Sequence, residues 1–209
     1  MLTNLSFYQG ILVVFEVFGV TLLCSLPLGL LVAFARMSRF MPLRFLAQGF
    51  IAIMRGTPLV LQLIFFYYGL AQIGIVLDRL PAALLAFVLN YSAYFAEIYR
   101  GGLESIPVGQ FEAARTLGFN TVTYYRRIIL PQVVKRILPP ISNEVITLVK
   151  DTALVYVLGV VDMLRVAQGE MNRTATLLPL IYPAIVYLLI VVVLTYLLQR
   201  LEKRLAYYR

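Results

Sequence analysis

The stretch EAARTLGFNTVTYYRRIILP, residues 112–131, is a polar and basic island between long apolar runs. Two helical turns ending at Leu117 put Phe111, Ala114 and Leu117 on one side, and Gly118 is the residue type that most easily closes such a helix. The adjacent Ala113 and Ala114 allow another surface to approach closely. A second helix is expected to restart at Asn120 and Thr121, pass Arg126 and Arg127, and stop at Pro131. The island therefore reads as helix, glycine break, helix, proline break, which is the punctuation of a built element that something outside the chain can grip.

Outward from the island the chain is strongly apolar. Hydrophobic residues make up 61% of its 209 positions and charged residues 13%, with a mean hydropathy of +0.87. That composition excludes a soluble globular domain and implies an all-α polytopic membrane protein, one domain over residues 1–209. The net charge of +8 does not point to nucleic acid, because the basic residues form no patch interleaved with aromatics. With a single cysteine, Cys24, and no histidine, neither an internal disulfide nor a Cys/His metal site is expected. No basic residue precedes Arg36, so the start lacks the charged region of a cleaved signal peptide.

A span needs about 20 mostly apolar residues. Five stretches meet this, at 10–35, 46–70, 80–99, 141–161 and 178–198, and an odd number puts the termini on opposite sides. One set of connections holds Arg36, Arg39, Arg44, then Arg100, Arg115, Arg126, Arg127, Lys135, Arg136, and finally Arg200, Lys203, Arg204 and Arg209. The other set holds only Arg79, Arg165 and Arg173. Thirteen against three places the N-terminus outside and the C-terminus in the cytoplasm, and with it the island, as part of a loop at 104–137.

The spans carry polar residues that lipid would not tolerate on an exposed face. In the first, Thr21, Ser25, Gly29 and Ala33 form a small-residue stripe suited to close helix packing, and Glu16 lies about 140° round the helix from it. The second is interrupted by Arg55-Gly56-Thr57-Pro58, so a kink is expected, with Arg55 in a structural ion pair. Asn90, Tyr94 and Glu97 share one face of the third. The fourth, expected to begin after Pro139 and Pro140, is the most polar, with Asn143, Glu144, Thr147, Lys150 and Asp151. Glu144, Thr147 and Asp151 share a face there, whereas Lys150 diverges from Asp151 and must look elsewhere for a partner. This helix is the best candidate to line a pore. Residues 162–176 read as a short external amphipathic helix with Met163, Val166 and Ala167 on its apolar side, and the last span as lipid-facing.

At these residues the chain resembles the membrane subunit of an ATP-binding-cassette importer, in the polar amino acid permease family. The island carries that superfamily's pattern of EAA, three residues, Gly, nine residues, then Ile-x-Leu-Pro, as Glu112-Ala113-Ala114, Gly118, Ile128 and Leu130-Pro131. Marks of the amino acid branch are RGTPL at 55–59, AEIYRGG at 96–102, IPVGQFEAARTLG at 106–118 and LVKDTAL at 148–154, with Ala153 where Ser is common and Val108 where a basic residue is usual.

The resemblance implies a type I importer permease fold of five transmembrane helices in a bacterial cytoplasmic (inner) membrane. It implies a second permease subunit, identical or related, around a twofold substrate path, two ATPase subunits docked on the cytoplasmic side, and an extracytoplasmic amino acid-binding protein. It makes 108–118 the coupling helix, with Gln110, Glu112, Ala113, Ala114 and Gly118 as docking residues. Substrate-path candidates are Glu16, Asn90, Glu97, Asn143, Glu144, Thr147 and Asp151, and Arg55 and Lys150 are structural intramembrane charges. The expected substrate is a polar amino acid with a slight lean to cationic ones, moved by alternating access. No catalytic residue, metal or cofactor is expected, since the chain lacks a Gly-x-x-x-x-Gly-Lys-Ser/Thr loop and ATP must be hydrolysed by a partner. A permease for another small polar solute is the nearest alternative. A membrane-embedded enzyme or a channel would leave the EAA pattern unexplained.

Overall fold

A computed structural model describes residues 5–205; Arg209, counted above in the basic tail, lies outside them. The described residues are helical with no strand. The helices are α1 Leu5–Arg36, α2 Met41–Gly56, α3 Leu59–Gln72, α4 Arg79–Glu104, α5 Val108–Thr116, α6 Thr121–Tyr124, α7 Leu130–Asp151, α8 Met163–Thr174 and α9 Ile181–Leu205.

By length and apolarity, Leu5–Arg36, Arg79–Glu104 and Leu178–Leu205 can each cross a membrane, and α2 with α3 makes a fourth crossing if the bent pair is one span. The α7 segment carries Lys135, Arg136, Glu144, Lys150 and Asp151 and falls outside this measure.

α4 is the centre of the bundle. Ala82, Ala83, Ala86, Phe87, Ala93, Phe95 and Ala96 are fully buried on it. The small-residue stripe of α1 packs here: Thr21, Ser25 and Ala33 are fully buried. A Cβ added at Gly29 would stand 2.8 Å from Phe95 Cβ and 2.9 Å from the Ser92 carbonyl oxygen. With little hydrophobic drive between helices in lipid, such close backbone approach supplies the dispersion contacts that hold two spans together. By contrast α9 buries only Pro183, as expected of a helix that faces lipid.

Of three proline breaks, one matches the sequence expectation and two differ from it. The expected kink in the second span is a turn of 108° between α2 and α3, because Pro58 cannot donate to α2 and forces Thr57 into extended backbone (φ −118°, ψ 146°). Pro131 does not stop a helix. A wide π turn, Tyr125–Ile129, absorbs it, with the Leu130 N–H reaching back to the Tyr125 carbonyl, so α6 runs on into α7. Nor does a helix begin after Pro139 and Pro140, since both lie inside α7. Two neighbouring prolines cost α7 two backbone bonds, and the Ser142 hydroxyl donates to the Leu138 carbonyl just beyond them (2.9 Å). Past Asp151 the chain tightens to a 3-10 helix, Thr152–Leu158, and ends at Gly159.

The segment expected to be a short amphipathic helix, 162–176, is helical over Met163–Thr174. Asp162 caps α8 by accepting from the Arg165 N–H at 2.9 Å, and Met163 and Ala167 are fully buried, Met163 against Phe7 and Val14 of α1.

Candidate functional site

The break after α2 is sealed by two amides. Asn90 on α4 donates to the Met54 carbonyl (2.9 Å) and to Gln62 Oε1 (3.0 Å). Gln62 on α3 donates to Met54 O (2.9 Å), Thr57 O (3.2 Å) and Thr57 Oγ1 (2.8 Å). Carbonyls left without a backbone donor at the proline thereby recover donors, where an unsatisfied buried group would be costly. Gln62 was not singled out in the sequence. A lone amide four residues after Pro58 in an apolar run is the signal that points to it.

Beside this knot lies a cleft of about 540 Å3, walled by the α2–α3 break, α4 and α7. Arg55, Asn90, Tyr94, Glu144, Thr147 and Asp151 line it, together with Tyr91. Tyr91 Oη donates to Asp151 Oδ2 at 2.7 Å, and its ring is parallel to that of Phe87 at 6.3 Å between centres. Arg55 lies over the Tyr94 ring, 5.1 Å from its centre. The cleft thus offers one guanidinium on one side and two carboxyl groups on the other, the arrangement that a small zwitterion or a dipolar solute would need.

Not every candidate meets there. Glu97 sits on the same face of α4 but inside an arginine cluster. It accepts from Arg100 at 2.6 Å, with Arg36 of α1 at 3.9 Å and Arg55 of α2 at 3.8 Å. Arg100 also bonds Glu104, so the cluster ties the ends of α1, α2 and α4. Asn143 and Glu16 on α1 are exposed and neither lines the cleft. Lys150, exposed, borders a separate recess with Leu164, Pro183 and Tyr187.

The island forms the second feature. α5 follows Ile106-Pro107, and Phe111 meets the Tyr124 and Tyr125 rings edge-on, each 6.1 Å away. Gly118 takes φ +75°, the left-handed conformation that ends α5 with its N–H on the Arg115 carbonyl. Asn120 caps α6 through Thr123 N at 2.8 Å.

Two expectations for α5 need correction. Ala114 is 1% exposed, packed within a cluster of Ile106, Tyr124, Ile129 and Val133, and so seats α5 on the chain's own core instead of facing outward. Leu117, expected on the side of Phe111 and Ala114, is 74% exposed and follows the last residue of α5. Gln110, Glu112, Ala113 and Gly118 do lie on the exposed surface.

The described residues thus form a helix bundle with a charged cleft between the α2–α3 break, α4 and α7, and a short helix, α5, on a basic loop beside it. Residues 25–207 match the family of binding-protein-dependent transport system inner membrane components, and the chain belongs to that family. It is a transporter permease subunit, not an enzyme. It is 37% identical to the arginine transport system permease protein ArtQ of Bacillus subtilis (strain 168), across 94% of this chain and 91% of that protein. The L-cystine transport system permease protein TcyB of the same organism is 38% identical, across 87% and 78%. A putative glutamine transport system permease protein, GlnP, of Rickettsia conorii (strain ATCC VR-613 / Malish 7) is 33% identical, across 94% and 91%. Among solved structures, an amino acid ABC transporter crystallised with histidines matches with a TM-score of 0.87 at 35% identity, covering 95% of this chain and 94% of that one. The inward-facing MetNI methionine ABC transporter shares the fold, with a TM-score of 0.69 at 19% identity over 95% and 94%.

Proposed function

We propose that this chain is the membrane subunit of an ATP-driven importer of polar amino acids, and that the cleft between α4 and α7 is part of its substrate path. The observation that carries the reading is the convergence of Arg55, Asn90, Glu144, Thr147 and Asp151 on one cavity in a bundle of otherwise apolar helices. Charged groups at this depth are tolerated where they meet water or a solute. The arginine, cystine and glutamine systems to which the similar permeases belong support the substrate class.

In this reading the chain crosses a bacterial inner membrane five times, with α7 and the 3-10 turn after it as the fourth crossing, and with the N-terminus outside. It pairs with a second permease subunit, receives substrate from an extracytoplasmic binding protein, and rests on two ATPase subunits. The exposed face of α5, with Gln110, Glu112 and Ala113, is the docking surface, and Gly118 is the bend behind it. ATPase closure pushes α5, and the lever acts through α6 and the π turn on α7, so that the cleft opens alternately to the two sides. Because Glu97 is taken up by arginines and Glu16 stands apart, the lean to cationic substrates rests on Glu144 and Asp151.

Reconstitution with the cognate ATPase and binding protein tests the reading. Uptake into proteoliposomes should require ATP and fail when Glu112 and Ala113 are replaced by bulky residues. ATP-independent uptake, or full ATP-driven uptake in those variants, would defeat it. Glutamate as the preferred ligand of the binding protein would defeat the cationic lean alone.

A further inference from the structure

Arg55 is the one cation among the described residues that both lines the cleft and reaches the Glu97 cluster. Its attachment to the cluster is loose. Nη1 stands 3.8 Å from Glu97 Oε2, whereas Arg100 holds the same oxygen at 2.6 Å. The Arg55 side chain keeps 43% of its exposure and makes no hydrogen bond to a described residue, yet the Tyr94 ring below it limits where the guanidinium can lie. A planar group with five uncommitted donors, oriented by an aromatic face, is the arrangement that captures a carboxylate in bidentate fashion. Across the cleft, Glu144 and Asp151 on α7 face the same space with the opposite charge.

We propose that Arg55 binds the α-carboxylate of the transported amino acid, exchanging Glu97 for the substrate. The assignment rests on the reading of the cleft as the substrate path. It also gives the substrate a mechanical effect. Arg55 is the last side chain before the Gly56–Pro58 break, where α2 and α3 meet at 108°, and its pairing with Glu97 is one of the links that hold the end of α2 to α4. A carboxylate that takes Arg55 removes that link and leaves Glu97 with Arg36 and Arg100, so occupancy of the cleft loosens the helix ends that close it.

The test uses the permease–ATPase complex in lipid nanodiscs without the binding protein, titrated with L-arginine and L-glutamine and with their carboxamides, L-argininamide and L-glutaminamide. Wild type should prefer each acid to its amide. Arg55→Gln should weaken the acid by about tenfold or more, the scale of a lost charge-assisted bidentate pair, and leave the amide unchanged. Arg55→Lys should fall between, and Glu97→Gln should tighten the acid. Retained amide binding shows that the variant is folded. An equal loss of acid and amide in Arg55→Gln, or an unchanged preference for the acid, would overturn the assignment. Thr147→Trp, which fills the cleft, should abolish both ligands. Retention of both there would overturn the cleft reading itself, whereas their loss with the acid preference intact in Arg55→Gln would overturn only the role of Arg55.

Discussion

Tyr91 on α4 donates its phenolic proton to Asp151 at the last turn of α7, at 2.7 Å, and this bond joins the two helices that wall the cleft where α7 gives way to a 3-10 turn. Tyr91 itself is 2% exposed. Tyr91→Phe keeps the ring stack on Phe87 and deletes only the donor. It should destabilise the protein by about 1.5–3 kcal/mol, as for a hydrogen bond to a charged group, and lower the melting temperature of the solubilised complex. Adding Asp151→Asn to Tyr91→Phe should cost little more, because the two groups act as a pair. Additive losses in thermal melts would show that they do not.

Packing of α1 on α4 is predicted to depend on Gly29 and not on glycine in general. Gly29→Val must push Phe95 and the Ser92 carbonyl aside, whereas nothing lies within 4 Å of a Cβ at Gly19. Overpacking of this kind costs about 1–3 kcal/mol or more. Fluorescence-detected size-exclusion chromatography should show a sharp loss of monodisperse protein for Gly29→Val and none for Gly19→Val.

The two alanines of the EAA motif should separate in their effects. Ala114 is buried against Ile106 and Tyr124, so Ala114→Leu should lower thermal stability by about 1–3 kcal/mol. Ala113 is exposed, and Ala113→Trp should leave the melting temperature of the permease alone unchanged while reducing co-purification of the ATPase and coupled uptake. Gly118→Val, which forces a β-branched residue to φ +75°, should impair uptake more than it impairs stability.

Asp162 caps α8 outside the spans with no exposure, and its Oδ2 has no hydrogen-bond partner among the described residues. Burial raises its carboxyl above the ordinary value of 3.8, against the opposing pull of the Arg165, Leu164 and Asp162 backbone N–H groups and the Arg165 charge. The folded state therefore binds the proton more tightly than the unfolded chain does. Stability from this group is present at low pH and falls as pH rises from the unfolded value through the raised folded one. Asp162→Asn, whose Oδ1 can still cap Arg165 N, should flatten that decline in melts across the acidic range. A wild-type profile that rises through the same window would contradict the placement of Asp162.

Features that depend on spacing along the chain are legible in the residues alone. Apolar length and charge asymmetry pointed to a multi-span helical protein, the small-residue stripe at Thr21, Ser25, Gly29 and Ala33 identified a packing face, and the spacing from Glu112 to Pro131 identified the family. Local periodicity also placed Glu144, Thr147 and Asp151 on one face. Which polar groups meet depends on how the helices pack. Asn90 and Glu97 share a face of α4, yet one seals the α2–α3 break with Gln62 and the other is held by arginines from three helices. The prolines of α7 read as breaks because a proline's local effect is to remove a bond. Whether the helix continues depends on a π turn and on neighbouring donors, which are properties of packing and not of the residue. Ala113 and Ala114 are identical in sequence terms. Their roles divide because α5 rests on the aromatic pair Tyr124 and Tyr125, a contact made only when the chain turns back at Gly118.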